Sequence, residues 1–228
     1  MSQLALPLKL ADHAVFDSFL AAGNETAVAA LERLATSADS GGAWIWGPTA
    51  SGKSHLLQAV CARAGSSAMY LPLADFASAP PALLDGLEER EVLCIDDIDR
   101  VAGDPGWARA LFRLYNAIDE RGNRLLVAST APPRDAGIVL PDLDSRLKRL
   151  PVFRLHSLDD EERAAALRLR AHHRGLDLPG ETARYLLKRS RRDMRTLYAL
   201  LDALDTAALS QQRRLTIPFV RTVLDEQA

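Results

Sequence analysis

Gly47-Pro48-Thr49-Ala50-Ser51-Gly52-Lys53-Ser54 is the stretch on which the reading of this chain turns. It fits G-x-x-x-x-G-K-S, the phosphate-binding loop known as Walker A, and each part answers a chemical need. The glycines let consecutive backbone N–H groups converge on phosphate oxygens. Lys53 brings positive charge to the β- and γ-phosphates, and Ser54 offers a hydroxyl to a magnesium ion. We count His55, the next residue, with this nucleotide-binding set. The flanks agree. Ala43-Trp44-Ile45-Trp46 reads as a short buried strand, and Ser54 to Arg63 carries Leu56, Leu57, Val60 and Cys61 at helical spacing. Strand, loop and helix in this order aim a helix N-terminus at an anion. The implied chemistry is nucleotide binding.

Outside the loop, the 228 residues are enough for one sizeable core, or for one core with a small appendage. Hydrophobic residues make up 48% and charged residues 25%, the proportions of an ordinary globular chain. Residues 1–150 hold 14 basic and 19 acidic groups, and residues 151–228 hold 14 and 11. That asymmetry is too mild for a domain built to grip nucleic acid, which concentrates its basic groups on one face. Cys61 and Cys94 both fall in apolar contexts and read as reduced packing residues, in keeping with a cytoplasmic protein. No apolar run approaches a membrane span, and no cationic start precedes a long apolar segment.

Apolar runs recur at 43–46, 68–71, 92–95, 125–128 and 152–153, with helical patterns between them. Trp107 to Glu120 is the clearest of these, with Leu111, Leu114, Tyr115 and Ile118 apolar. Before the Walker strand, Glu25 to Leu34 reads as an amphipathic helix with Val28, Leu31 and Leu34 on one face. Alternating strands and helices imply βαβ units and a parallel sheet, and strands apolar throughout imply helices on both sheet faces. From Leu158 onward four helices are expected, Asp159 to His173, Glu181 to Arg189, Met194 to Leu209 and Ile217 to Leu224, with no strand between them. The fold class is therefore α/β, a parallel five-stranded sheet followed by a small helical domain. We divide the chain into an N-terminal peptide (1–10), a nucleotide-binding α/β domain (11–156) and a helical domain (157–228).

Val92-Leu93-Cys94-Ile95-Asp96-Asp97 is an apolar strand ending in two carboxylates, the Walker B pattern. Asp96 is suited to hold magnesium through water, and Asp97 to polarise an attacking water. The competing reading is an acidic loop (Asp96, Asp97, Asp99, Asp104) after a buried strand. The 125–128 run ends in Ser129-Thr130, where P-loop ATPases of the additional-strand type carry a polar residue that contacts the γ-phosphate or the water. A turn opening into Pro132-Pro133 explains the same residues. Arg146 stands in Asp144-Ser145-Arg146-Leu147-Lys148-Arg149, which by composition is a solvated basic face or else the home of an arginine acting in trans. Arg195 is an exposed helix arginine or a phosphate contact. His172 and His173 are adjacent and point about 100° apart on a helix, so they make a poor pair of ligands for one metal. The leader Gln3-Leu4-Ala5-Leu6-Pro7-Leu8 places leucines where Pro7 prevents a regular helix. Either it tucks onto its own core or it docks in another protein's groove.

Taken together, these residues resemble the AAA+ module of the DnaA family of replication initiators, and more closely the short, Hda-type members of that family. The resemblance covers nearly the whole chain. Gln3, Leu4, Leu6, Pro7 and Leu8 look like the family's sliding-clamp-binding motif. Phe16-Asp17-Ser18-Phe19 with Gly23-Asn24 is similar to the opening F-x-x-F…G-x-N of DnaA cores, which places Phe16 beside the adenine pocket. Leu140 to Arg149 resembles the arginine-finger segment, and that role falls on Arg146. Met194-Arg195-Thr196-Leu197 looks like the sensor II segment, making Arg195 a nucleotide contact. The segment Leu215 to Val220 also matches the family's C-terminal pattern.

The resemblance implies bound ADP (or ATP) with Mg2+. It also implies the partners DnaA and the sliding clamp (the polymerase III β subunit), and stimulated hydrolysis of DnaA-bound ATP, a negative regulation of initiation. No further domain follows residue 228, so sequence-specific DNA binding is not expected. Self-association as a dimer or larger assembly is. Two departures bear on turnover. Asp97 replaces the usual glutamate, and Thr130 stands where DnaA has an acidic sensor I residue; a hydroxyl holds a phosphate oxygen but does not act as a base. The competing expectation is a self-sufficient ATPase or helicase-loader-like adaptor that cycles ATP to remodel a partner.

Overall fold

The computed structural model describes residues 14–37, 39–189, 193–211 and 214–226. Five strands form, β1 (Gly41–Trp46), β2 (Ala68–Pro72), β3 (Val92–Asp96), β4 (Arg124–Ser129) and β5 (Val152–Arg154). They pair in parallel in the order β2-β3-β4-β1-β5. The expected parallel five-stranded sheet is present. Strand β4 lies between β1 and β3, so the loop after β1 and the carboxylates after β3 flank the end of a third strand.

Helices α1 (Glu25–Thr36), α2 (Lys53–Ala64), α3 (Leu73–Phe76), α4 (Pro105–Glu120) and α5 (Pro141–Leu147) complete this part. The two sheet faces follow the strand period of two. Trp44, Leu93, Ile95, Leu125 and Val127 join one core with Trp107, Leu111, Leu114 and Ile118 of α4 and Leu143 and Leu147 of α5. The alternate residues face the other way, where the Cys94 thiol meets that of Cys61 on α2. Both cysteines are free and buried. Central strands β3 and β4 are buried along their whole length. Full burial of each large apolar side chain there contributes about 1.5–3 kcal/mol.

Two local details differ from expectation. On α1 the buried residues are Ala27, Ala30, Leu31 and Ala35, with Val28 and Leu34 only partly covered. Alanines let α1 approach closely, so the longer side chains lie at the edges of the contact. Helix α4 begins at Pro105, two residues earlier than the apolar pattern marks. Asp104 caps it, its carboxylate accepting from the Trp107 N–H (2.9 Å), and proline suits the first turn.

The chain divides into two compact units. Residues 14–16 and 23–156 make the α/β unit, and Asp17–Ala22 groups with the residues from Ser157 onward. Leu20 packs among the helices of that second unit, which draws its short segment there. Asn24 ties the α/β unit together: its side chain accepts from the His156 N–H (2.8 Å) and donates to the His156 carbonyl (3.3 Å).

The helical unit contains α6 (Asp160–His173), α7 (Gly180–Arg189), α8 (Met194–Gln211) and α9 (Ile217–Glu226). Asp159 and Glu162 form a reciprocal capping box at the start of α6. Leu167, Leu186, Leu197, Leu201, Leu204 and Phe219 fill the core between the helices. Arg170 is 7% exposed, lies 4.1 Å from the centroid of the Tyr198 ring, and has its pKa lowered by burial. No helix among the described residues is long and apolar enough to cross a membrane.

Candidate nucleotide site

Strand register brings three strand ends to one level. Trp46 pairs with Ser129, and Ile95 pairs with Val127. The residues that follow, Gly47, Thr130 and Asp96–Asp97, therefore meet at the C-terminal edge of the sheet. In open α/β sheets this edge, at a switch in strand order, is where ligands bind.

The loop wraps into the first turn of α2. Gly52 caps the helix at φ +95°, and Ala50 also has positive φ (+64°). This alternation turns successive N–H groups toward one side, as an anion nest requires. Gly47 runs so close to the strand β5 exit that a Cβ would lie 2.6 Å from the Leu155 carbonyl oxygen. The Lys53 side chain is 6% exposed, and its Nζ donates to the carbonyls of Gly47 (2.8 Å) and Pro48 (2.9 Å). An ammonium has three protons, so one remains for a ligand. Burial pulls the Lys53 pKa down, against the fields of Asp96, Asp97 and Asp99. Ser51 Oγ is buried with no hydrogen-bond partner. These features fit a phosphate group: a backbone cradle with glycine at both ends, a spare ammonium proton and an unpartnered hydroxyl.

Asp96 is 1% exposed. Its Oδ1 accepts from the Asp97 N–H (3.0 Å), and its Oδ2 accepts from the Tyr70 hydroxyl (2.8 Å). Burial, with the neighbouring Asp96 charge, pushes the Tyr70 pKa up, against a smaller downward pull from the nearby Ser54 and Gln58 side chains. Tyr70 thus stands between the Walker serine and the Walker aspartate, a position that nothing in the sequence around β2 announced. Asp97 sits in the left-handed region (φ +55°, ψ +42°), and burial raises its pKa, reinforced by Asp96 and Asp99. A carboxylate with raised pKa is a better proton acceptor, the property a water-polarising group needs. No group of three or more His, Cys, Asp and Glu among the described residues could hold a metal ion. Magnesium here would take its remaining ligands from a bound nucleotide and from water, beside Ser54 and Asp96.

Thr130 is exposed, and both its N–H (3.3 Å) and its hydroxyl donate to Asp99 Oδ2. Asp99 Oδ1 is buried without a partner. Asp99 entered the sequence reading only as part of an acidic loop, and the structure gives it a specific neighbour.

The other candidates are dispersed. Phe16 is buried, with the Arg63 guanidinium over its ring at 4.8 Å. His55 Nε2 lies 2.9 Å from the Val15 carbonyl, which ties α2 to the chain before α1. Arg146, in α5, is partly exposed and near enough to Tyr115 to influence its hydroxyl electrostatically. No carboxylate pairs with Arg146 among the described residues. Arg195 lies in the first turn of α8, its side chain outside the described part of the structure, as are Gln3, Leu4, Leu6, Pro7 and Leu8.

Residues 160–224 match the protein family described as the lid domain of Hda. Solved structures supply the fold of the whole chain. Domain III of the replication initiation protein DnaA from Thermotoga maritima has a TM-score of 0.76 at 21% identity, over 96% of this chain and 98% of that one. AMPPCP-bound DnaA from Aquifex aeolicus has a TM-score of 0.69 at 23% identity, over 86% of this chain and 66% of that one. RuvB from Thermotoga maritima, a Holliday junction branch migration motor, has a TM-score of 0.62 at 18% identity, over 90% and 68%. The chain has the AAA+ fold that it shares with these structures, and its C-terminal helical segment is similar to the lid domain of Hda.

Proposed function

We propose that this chain is an Hda-type regulator of replication initiation. It holds ADP with magnesium in the loop at 47–54, docks through Gln3–Leu8 on the DNA-loaded sliding clamp, and meets ATP-bound DnaA at an AAA+ interface. There Arg146 stimulates hydrolysis of DnaA's ATP and so ends initiation competence. The observation that carries this reading is the Hda lid match, which falls within a chain of DnaA-like AAA+ fold. Lys53, Ser54 and Asp96 hold nucleotide and metal, Phe16 and His55 border the nucleotide, and Arg195 contacts it. Asp97 and Thr130 face any reacting phosphate. A trans arginine contributes about 10³–10⁵ in rate in other NTPases, an upper benchmark for Arg146.

The test is DnaA-ATP hydrolysis with clamp on DNA, with this chain or its Arg146→Ala variant added. Stimulation by the parent and its loss in the variant are expected, and equal stimulation removes Arg146 from the mechanism. Alanine at Gln3 and Leu6 should weaken clamp binding. A second reading, a self-sufficient ATPase, is favoured by one observation: Asp97 has a raised pKa beside a buried Asp96. Rapid ATP turnover by the isolated chain would select it.

A further inference from the structure

We propose that Asp99 is the residue that sets the choice between nucleoside diphosphate and triphosphate, acting through Thr130. The inference deepens the nucleotide-binding reading above and rests on it.

A threonine hydroxyl has one proton and two lone pairs, and a carboxylate only accepts. With its proton directed to Asp99 Oδ2, Thr130 Oγ1 has only lone pairs left to present to the site. The Thr130 N–H is directed to the same oxygen, so both donors of the residue are engaged. The position is not a remote one. Ser129 pairs with Trp46, so Thr130 stands beside Gly47, where the phosphate loop begins. Asp99 is close enough to Lys53 and to Asp97 to influence both electrostatically. Near the end of a bound polyphosphate chain, the central strand therefore offers an acceptor backed by a negative charge. A terminal phosphate oxygen is itself an anionic acceptor. Facing it, the pair repels where a free hydroxyl would donate. A diphosphate ends short of this position and is not penalised.

The same arrangement corrects the simple view of Thr130 as a hydroxyl available to hold a phosphate oxygen. For triphosphate to bind well, Thr130 must turn its hydroxyl proton from Asp99 to the ligand, which leaves Asp99 Oδ2 with only the longer bond from the Thr130 N–H, beside the buried, unpartnered Oδ1. Removing the shorter of two hydrogen bonds to a carboxylate is costly.

The experiment measures dissociation constants for ADP and for a non-hydrolysable ATP analogue, both with magnesium, on the full chain, on Asp99→Ala and on Thr130→Val. The parent should prefer ADP. Asp99→Ala should bind the ATP analogue roughly tenfold more tightly relative to ADP, the scale of one hydrogen bond to a charged group. Thr130→Val should move the ratio in the same direction by less, and the double variant should gain no more than Asp99→Ala alone, because both act through one contact. Far-ultraviolet circular dichroism and melting temperature without nucleotide serve as the control for folding of the three variants. A ratio that stays at the parental value in both single variants, with ADP still bound, overturns the proposal and leaves the nucleotide reading intact. Failure of the parent chain to bind either nucleotide overturns both.

Discussion

In the α/β unit, four of the six buried polar side chains among the described residues, Ser51, Lys53, Asp96 and Ser129, gather at the C-terminal edge of the sheet, with Asn24 and Arg124 elsewhere. In the helical unit the buried polar residues among those described, Ser18, Arg170 and Thr182, lie on three different segments, and Arg170 is sheltered by the Tyr198 ring. Buried polar groups cost stability unless partnered, so concentrating them at one edge marks the place where the chain gives up stability for chemistry. The helical unit carries the opposite kind of information. Its capping box, leucine core and surface ion pairs are the economy of a packing module. Yet it is this unit, at 160–224, that matches a known family, whereas the α/β unit is recognised through its fold. Chemistry and family likeness are legible in different halves of the molecule.

The contrast breaks most sharply at Lys53. If the site edge is where ligand is held, Lys53→Ala should weaken ADP binding by more than about a hundredfold, since it removes charge-assisted hydrogen bonds to phosphate. Calorimetric titration measures this, and an unchanged dissociation constant would mean that the edge is not the nucleotide site.

The next test separates the two cores. All three tryptophans, Trp44, Trp46 and Trp107, belong to the α/β unit, so their emission reports on it alone. Leu126→Ala in β4 should cost about 3 kcal/mol and lower the tryptophan-detected melting temperature by about 10 °C. Leu201→Ala in α8 should lower the helix signal in far-ultraviolet circular dichroism and leave tryptophan emission less affected. Coincident shifts of both signals in both variants would show that the units melt as one.

A smaller effect attaches to Asp97. Its pKa is raised in the fold, so ionisation there is disfavoured relative to the unfolded chain. The resulting penalty is absent below the ordinary carboxylate value, grows as pH rises through the raised value, and is complete above it. Asp97→Asn should therefore raise the melting temperature at neutral pH by about 2–4 °C. Asparagine also tolerates the left-handed backbone at this position. The difference between parent and variant should shrink as the solution is acidified, and a constant gap across pH would assign the gain to something other than the carboxyl charge.

The smallest effect is expected in the helical unit. Arg184 and Glu161 pair across α7 and α6 with both side chains mostly exposed. Arg184→Ala should leave the unfolding free energy all but unchanged, and any loss should shrink at high salt. A larger loss in denaturant titrations would make that pair a structural element rather than a solvated one.

Much of the site could be read along the chain because its parts are local. The phosphate loop is eight consecutive residues, and Asp96 and Asp97 end a run of apolar ones. Strands β3 and β4 announce themselves because both of their faces are covered, leaving no room for polar alternation. What escaped was pairwise and distant. Tyr70 meets Asp96 across 26 positions, and Asp99 meets Thr130 across 31. No local pattern distinguishes Tyr70 from any aromatic in a strand, or Asp99 from any acid in a loop. On α1 close packing favours alanines, which carry little amphipathic signal, so the burial of Ala27, Ala30 and Ala35 beside Leu31 is not announced by the spacing of Val28, Leu31 and Leu34.

The sequence by itself determined that a phosphate loop follows one apolar strand, that two carboxylates end another, and that a helical segment follows the sheet. These are consequences of local chemistry: backbone freedom at glycine, periodicity of apolar residues and the identity of neighbouring side chains. Only the tertiary structure decided which of these ends meet. By inserting β4 between β1 and β3, it sets Thr130 between the loop and the carboxylates and hands its proton to Asp99. Strand order is a property of the whole sheet, settled by how both faces are buried at once, and no single stretch of the chain encodes it.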